Sequence, residues 1–154
     1  MDDFTIARAL HVLAIVMWIG GLAFVTTVVM PFIRHSSEPR ERLAAFHRVE
    51  GRFAPQAAFW VLLAGASGFW MTWRAGLWWR FADSQYWWMH AMVGIWLIFT
   101  VMLFVLEPLV LHRRMTNSPN PSGDFRAMEW LHRILSVLSL ATGAAAVAGS
   151  HGLF

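Results

Sequence analysis

The sequence contains no cysteine and no lysine, a single tyrosine, and only 14% charged residues over its 154 positions. Without thiols it forms no disulfides, thiolate zinc sites, iron–sulfur clusters or thioether-linked prosthetic groups. Any metal centre must draw on histidine, methionine, carboxylate or hydroxyl ligands. All twelve basic residues are arginine. They gather near predicted helix ends, a placement that suits lipid phosphates and not nucleic acid. Charge is also too sparse to break the long apolar runs that a soluble domain of this size would interrupt.

What remains is strongly apolar: 58% hydrophobic residues, with ten tryptophans and twelve phenylalanines. The mean hydropathy is +0.51. The length suits one domain, residues 1–154. The start, Met-Asp-Asp-Phe-Thr, is acidic and leads into an apolar run longer than a signal-peptide core. It reads as a retained membrane helix and not as a cleaved signal.

A helix needs about 20 apolar residues to cross the hydrocarbon core. Four segments meet or approach that length, at about 4–33, 40–74, 84–112 and 124–149. Pro31 lies near the exit of the first. Ser37, Glu38 and Pro39 supply a start for the second, whose apolar stretch runs from about Phe53 to Trp73. The loop from Asn117 to Gly123 precedes the fourth, with Ser122 or Asp124 as its cap. The expected architecture is all-α, an integral membrane four-helix antiparallel up-down bundle.

Arginine placement orients it. The first loop region carries Arg34, Arg40, Arg42, Arg48 and Arg52; the third carries Arg113, Arg114 and Arg126, with Arg133 just inside the next helix. The second has only Arg74 and Arg80, beside Trp73, Trp78, Trp79, Tyr86, Trp87 and Trp88. The positive-inside rule puts the first and third loops in the cytoplasm, and the aromatic cluster forms an outer interfacial belt. Both termini then face the outer, periplasmic side of what reads as a bacterial inner membrane.

Each segment carries one histidine about two turns in: His11, His47, His90 and His132. An ionisable side chain is costly inside a membrane and reads as functional by default. At about 1.5 Å per residue, His11 and His90 lie roughly 9–10 Å from their helix starts, and His47 and His132 roughly 12 Å. In antiparallel packing the first pair falls in the outer half and the second in the inner half. Paired imidazoles at matched depth are what a bis-histidine haem requires, and helical bundles commonly hold cofactors this way. The expected ligands are His11 and His90 for one haem b, and His47 and His132 for a second. Gly94 shares the face of His90, and Ser136 that of His132. With Gly20, Gly21, Gly65 and Gly68, they allow a flat cofactor close to the backbone, or simply close helix packing. Arg8, one turn before His11, and Arg52 are placed to meet haem propionates. Glu50 and Glu107 either pair with interfacial arginines such as Arg52 or Arg133, or relay protons to a quinone.

The bland alternative is that these histidines bond backbone carbonyls or hydroxyls, with His47 and His132 in a polar cytoplasmic collar beside Arg48 and Arg133. His35 and His112 sit at cytoplasmic helix ends, and His151 follows the last helix. Copper is the rival metal, because Met89-His90-Ala-Met92 offers soft ligands around an imidazole. Neither methionine shares the face of His90, which favours haem.

The run Ala7-Arg-Ala-Leu-His-Val-Leu-Ala-Ile-Val-Met-Trp-Ile-Gly-Gly-Leu22 resembles the first helix shared by the CopD-like copper-resistance membrane domain and the HemJ family. Val49-Glu-Gly-Arg-Phe-Ala-Pro-Gln-Ala57, continuing to Gly65 and Gly68, resembles their second-helix entry. Trp88-Met-His90-Ala resembles the His-bearing start of the HemJ third helix. The resemblance spans about 80% of the chain. HemJ proteins bind haem b and oxidise protoporphyrinogen, and the resemblance implies His11 and His90 as functional histidines. HemJ proteins also carry a lysine shortly after that third-helix histidine, where this chain has Met92 and no lysine anywhere. That departure argues against protoporphyrinogen oxidation and leaves haem binding. The CopD resemblance implies copper uptake, and the layout is also similar to small four-helix cytochromes b. The sequence therefore reads as a haem-b membrane cytochrome transferring single electrons between a quinone and an outer-face redox partner. The alternatives are a copper-binding or copper-transport protein, a HemJ-like oxidase, and a structural or assembly subunit without cofactor. The expected partners are the lipid bilayer, a quinone or redox protein, and a homo-oligomer or larger membrane complex.

Overall fold

A computed structural model describes residues 3–111 and 118–153. The expected helix end at 112, His112, Arg113, Arg114 and Asn117 lie outside the described residues. All the regular structure among the described residues is helical. The elements are α1 (Asp3–Phe24), α2 (Met30–Ser36), α3 (Arg42–Arg74), α4 (Trp87–Val101) and α5 (Pro121–Ser150). A π-helical turn, Val25–Val29, joins α1 to α2, and a π-helical stretch, Met102–Leu111, extends α4.

Three helical runs are long and apolar enough to cross a membrane: Asp3–Ser36, Ser84–Glu107 and Pro121–Ser150. They leave large apolar side chains such as Val16, Phe24, Phe32, Val137 and Leu140 at least half exposed. So much uncovered apolar surface is expected of a protein in contact with lipid. The fourth long helix, α3, has the length without the same hydropathy. Pro55, Gln56, small residues and three tryptophans (Trp60, Trp70 and Trp73) dilute its apolar half, and charges fill its first turns.

Local chemistry sets the boundaries. Pro31 has no N–H for an intrahelical bond, and its ring crowds the carbonyl four residues back. The backbone widens into the π turn just there. The Thr26 and Thr27 hydroxyls donate to the carbonyls of Leu22 and Ala23, each at 2.7 Å. Ser37-Glu38-Pro39 does not cap α3 as expected. It ends α2 and forms a turn in which Glu41 N–H donates to the Glu38 carbonyl, so α3 begins at Arg42. For α5 the cap is Asn120, not Ser122 or Asp124. Its side chain accepts from Gly123 N–H at 3.1 Å, and Pro121 takes the first helical position, where its missing N–H costs nothing. Ser122 instead donates to the Pro39 carbonyl, fastening the start of α5 to the first loop. Gly76, with φ of 62°, adopts the left-handed conformation that ends α3.

Contacts fix the relative direction of the helices. Along α1 and α3, Asp3 meets Arg74, His11 meets Ala64 and Gly21 meets Phe53, so the two run antiparallel. Thr26 meets Ser136 and Arg34 meets Glu129, so α1–α2 also runs antiparallel to α5. On α4, Trp96 packs on Gly65 and donates its indole N–H to the Val61 carbonyl, and Trp88 packs on Gly149. Two apolar clusters result. One gathers Ala14, Trp18, Leu22, Val61, Ala64, Ile95, Phe99 and Leu135. The other, nearer the arginine-rich end, gathers Val25, Met30, Ile33, Leu43, Phe46, Phe125 and Met128.

A Cβ on Gly65 would stand 2.6 Å from the Trp96 ring, whereas one on Gly20 would meet nothing within 4 Å. Gly65→Ala is expected to lower stability by about 1–3 kcal/mol, the usual cost of overpacking. Gly20→Ala should be neutral or stabilise by up to about 1 kcal/mol through helix propensity. Unfolding midpoints in detergent compare the two; equal midpoints would contradict the packing described for Gly65.

Candidate functional site

The four expected histidines occupy different environments. His11 is partly buried and turned onto α3. Its Nδ1 lies 2.9 Å from the Ala64 carbonyl and 3.0 Å from Ser67 Oγ. The Ser67 hydroxyl donates to the Leu63 carbonyl at 2.6 Å, so Nδ1 must carry the proton and donate to Ala64. Nε2 is then the nitrogen with a free lone pair in the neutral ring. The ring rests on Gly68, where a Cβ would lie 3.0 Å from its Cε1.

His132 is 8% exposed and is held in the same way. Its Nδ1–H donates to the Met128 carbonyl at 3.0 Å, which again leaves Nε2 as the acceptor. The Phe46 and His132 rings pack nearly perpendicular to each other, with centroids 5.3 Å apart. Metal-bound histidines almost always fix their second nitrogen by such a bond.

His90 differs. It lies nine residues before Phe99, about 180° around the helix at about 100° per residue. Phe99 faces Trp18 in the core, so His90 faces outward; it is exposed and packs edge-on against Phe81. The depth expected from the sequence places it level with His11, but its azimuth turns it away. The structure therefore does not bring His11 and His90 together. Toward the arginine-rich end His47 is half-buried, and the ring placed against His132 is that of Phe46, one residue earlier.

The remaining expected residues scatter. Arg8 is exposed and stacks on Phe4, 5.8 Å from the ring centroid, and Arg52 is exposed on α3. Gly94 has open space where a Cβ would stand. Ser136 is buried and bonds Thr26 Oγ1 at 2.8 Å. Of the glycines expected to admit a flat cofactor, Gly21 is filled by Phe53, Gly65 by Trp96 and Gly68 by His11 itself. Helix packing is thus what these three serve. Around His90, Met89 is buried while His90 is exposed, so the Met-His-Ala-Met run does not converge. Among the described residues no three His, Asp or Glu side chains gather in a metal-holding group.

The place where reactive groups do converge is a cavity of about 50 Å³ between the two apolar clusters. Trp18, Phe46, Phe53, Phe99, Met102 and Leu103 wall it, and Glu50 and His132 supply its ionisable groups. Glu107, on the π-helical extension of α4, acts electrostatically on Glu50. Trp18 is 4% exposed, and its indole N–H has no acceptor among the described residues. A buried donor without a partner costs about 1–3 kcal/mol, so such a group calls for an explanation. The cavity has room for a few water-sized groups. It is far smaller than the roughly 300–1,000 Å³ of an ordinary ligand pocket, so a macrocycle does not fit it as packed.

Arg133 is one of the arginines that the sequence offers to Glu107. It donates to Glu129, one helical turn back, at 2.7 Å. Glu129 was not singled out from the sequence, although its spacing of four residues from Arg133 is the signal that could have found it. Compared with known proteins, the chain matches no family model, no curated protein and no solved structure.

The hydrogen bonds imply tautomers that can be measured. Nitrogen chemical shifts of ¹⁵N-histidine-labelled protein should show His11 and His132 as neutral rings protonated at Nδ1. Observation of Nε2-protonated rings at both would rule out the bonding described.

Proposed function

We propose that this chain is a small membrane cytochrome: an antiparallel, up-down four-helix bundle that binds haem b and transfers single electrons. Its partners are a quinone and a redox protein on the outer side. The observation that carries the reading is the shared posture of His11 and His132. Each imidazole spends its Nδ1–H on a backbone carbonyl and keeps Nε2 as a ligand. With no cysteine available, imidazole is the strongest ligand the chain can offer iron. The positive-inside rule supports both ends lying outside, with His11 in the outer half and His132 in the inner half.

A haem, were it bound beside these imidazoles, would supply the one-electron chemistry, and the chain's own groups would do the rest. The Ala64 and Met128 carbonyls fix the orientation and tautomer of the two rings. His47, one residue from the ring that packs on His132, completes the inner pair in this reading. Arg52 at the inner entrance and Arg8 near His11 are the guanidiniums available to propionates. Glu50, beside His132 in the cavity, is placed to hold a proton when a quinone is reduced.

A second reading has its own support. Phe53, Trp96 and His11 fill the glycine notches, and the cavity is small. Both favour a helical subunit whose histidines serve packing and bind no cofactor. The absorption spectrum of protein purified in mild detergent separates the two. The cytochrome reading expects sharp reduced-state bands of low-spin haem. His11→Ala and His132→Ala should each weaken haem binding at one site by more than the roughly 10–100-fold that loss of a supporting bond alone costs. His90→Ala should leave it unchanged. A colourless protein, or full haem retention in both the His11→Ala and the His132→Ala variant, would overturn the assignment.

A further inference from the structure

At the arginine-rich end, one buried carboxylate holds two arginines from different helices. Glu129 is 5% exposed. Its Oε1 forms an ion pair with Arg34 Nη1 of α2 at 3.2 Å and accepts from Arg133 Nη2 of α5 at 2.7 Å. A single arginine would neutralise it, so the trio carries surplus positive charge. Each guanidinium has five N–H donors, and the one carboxylate oxygen engages a single nitrogen of each arginine. Both side chains stay about 40% exposed, Arg34 at 42% and Arg133 at 39%. The guanidinium of Arg133 also lies over the Trp130 ring, 5.5 Å from its centroid, and Trp130 is 63% exposed. Arg126, seven residues before Arg133, lies two turns further out on the same face and is exposed.

We propose that Arg34 and Arg133, held apart by Glu129, form a binding site for the phosphate of an anionic phospholipid in the leaflet on the arginine-rich side. The planar fork of arginine matches a phosphate, and the pair offers two forks fixed at their base. Glu129 sets the spacing and direction of the guanidiniums, which otherwise lose side-chain entropy on binding. The surroundings indicate a lipid and not free phosphate. From Trp130 an exposed apolar stripe continues along α5 through Ile134, Val137 and Leu138, where acyl chains can lie. An exposed tryptophan beside the arginines suits headgroup depth. Basic pockets between membrane helices bind lipid headgroups in this way. The site rests on the membrane reading of the apolar helices and is independent of haem.

The test reconstitutes the full chain in vesicles of phosphatidylcholine with a minority of phosphatidylglycerol. Native mass spectrometry then counts the lipids retained after extraction. The wild-type protein should retain phosphatidylglycerol preferentially, and millimolar inorganic phosphate should not displace it. Each arginine removed should reduce the preference about fivefold, so Arg34→Gln/Arg133→Gln should nearly abolish it. That double variant strands a buried carboxylate, so the triple variant Arg34→Gln/Glu129→Gln/Arg133→Gln, with a neutral trio, guards against misfolding. Loss of the preference in the triple variant at an unchanged thermal midpoint supports the site. Retention in the triple variant, or equal displacement by inorganic phosphate, overturns it.

Discussion

Rings seated in glycine notches hold this structure together. Phe53 fills the space over Gly21, Trp96 that over Gly65, His11 that over Gly68 and Trp88 that over Gly149. In lipid there is little hydrophobic drive to bring helices together, so close packing and interhelical hydrogen bonds must do so. Missing Cβ atoms allow large rings to sit against neighbouring backbone. Trp96 adds a bond from its indole N–H to the Val61 carbonyl, and His11 adds one to Ala64. The relative directions of the helices follow from these contacts and the cross-helix bonds beside them.

The buried polar groups form a layer where the two apolar clusters meet. Thr26 and Ser136 satisfy each other across the π turn and α5, His132 bonds within its own helix, and Glu50 faces the cavity beside it. Satisfied groups in a low-dielectric interior stiffen a fold, whereas unsatisfied ones mark where something else can bind. Trp18, with its buried indole N–H at the cavity wall, belongs to the second kind. The half toward the arginine-rich end is therefore where reactive groups gather. The opposite half holds one oriented imidazole, His11, and an aromatic collar in which Arg80 stacks on Tyr86.

Charge is arranged with equal economy. Arg74 and Asp3 join the end of α3 to the start of α1 through an exposed pair, which contributes little to stability. Arg34, Glu129 and Arg133 join α2 to α5 at the opposite end, and there the carboxylate is buried. The asymmetry places a positive surplus at one end only, the end to which the loop arginines also belong.

The sequence by itself determined the helical class, three of the four runs expected to cross a membrane and the depth of each histidine along its helix; the run expected at 40–74 forms the long helix α3, which is not among those apolar enough to cross. Apolar run length and a fixed rise per residue settle those quantities locally. It also exposed the lack of thiols, which limits the ligands available. Azimuth was not legible, because the rotation of a helix about its axis depends on the side chains it meets. Depth alone paired His11 with His90, and only the packing of Phe99 on Trp18 showed His90 turned outward. Likewise Gly65 and Gly68 read equally well as room for a cofactor or for a neighbour, until Trp96 and His11 were found there. The convergence of Glu50, His132 and Trp18 on one cavity depends on three helices meeting, and no single stretch of sequence encodes that meeting.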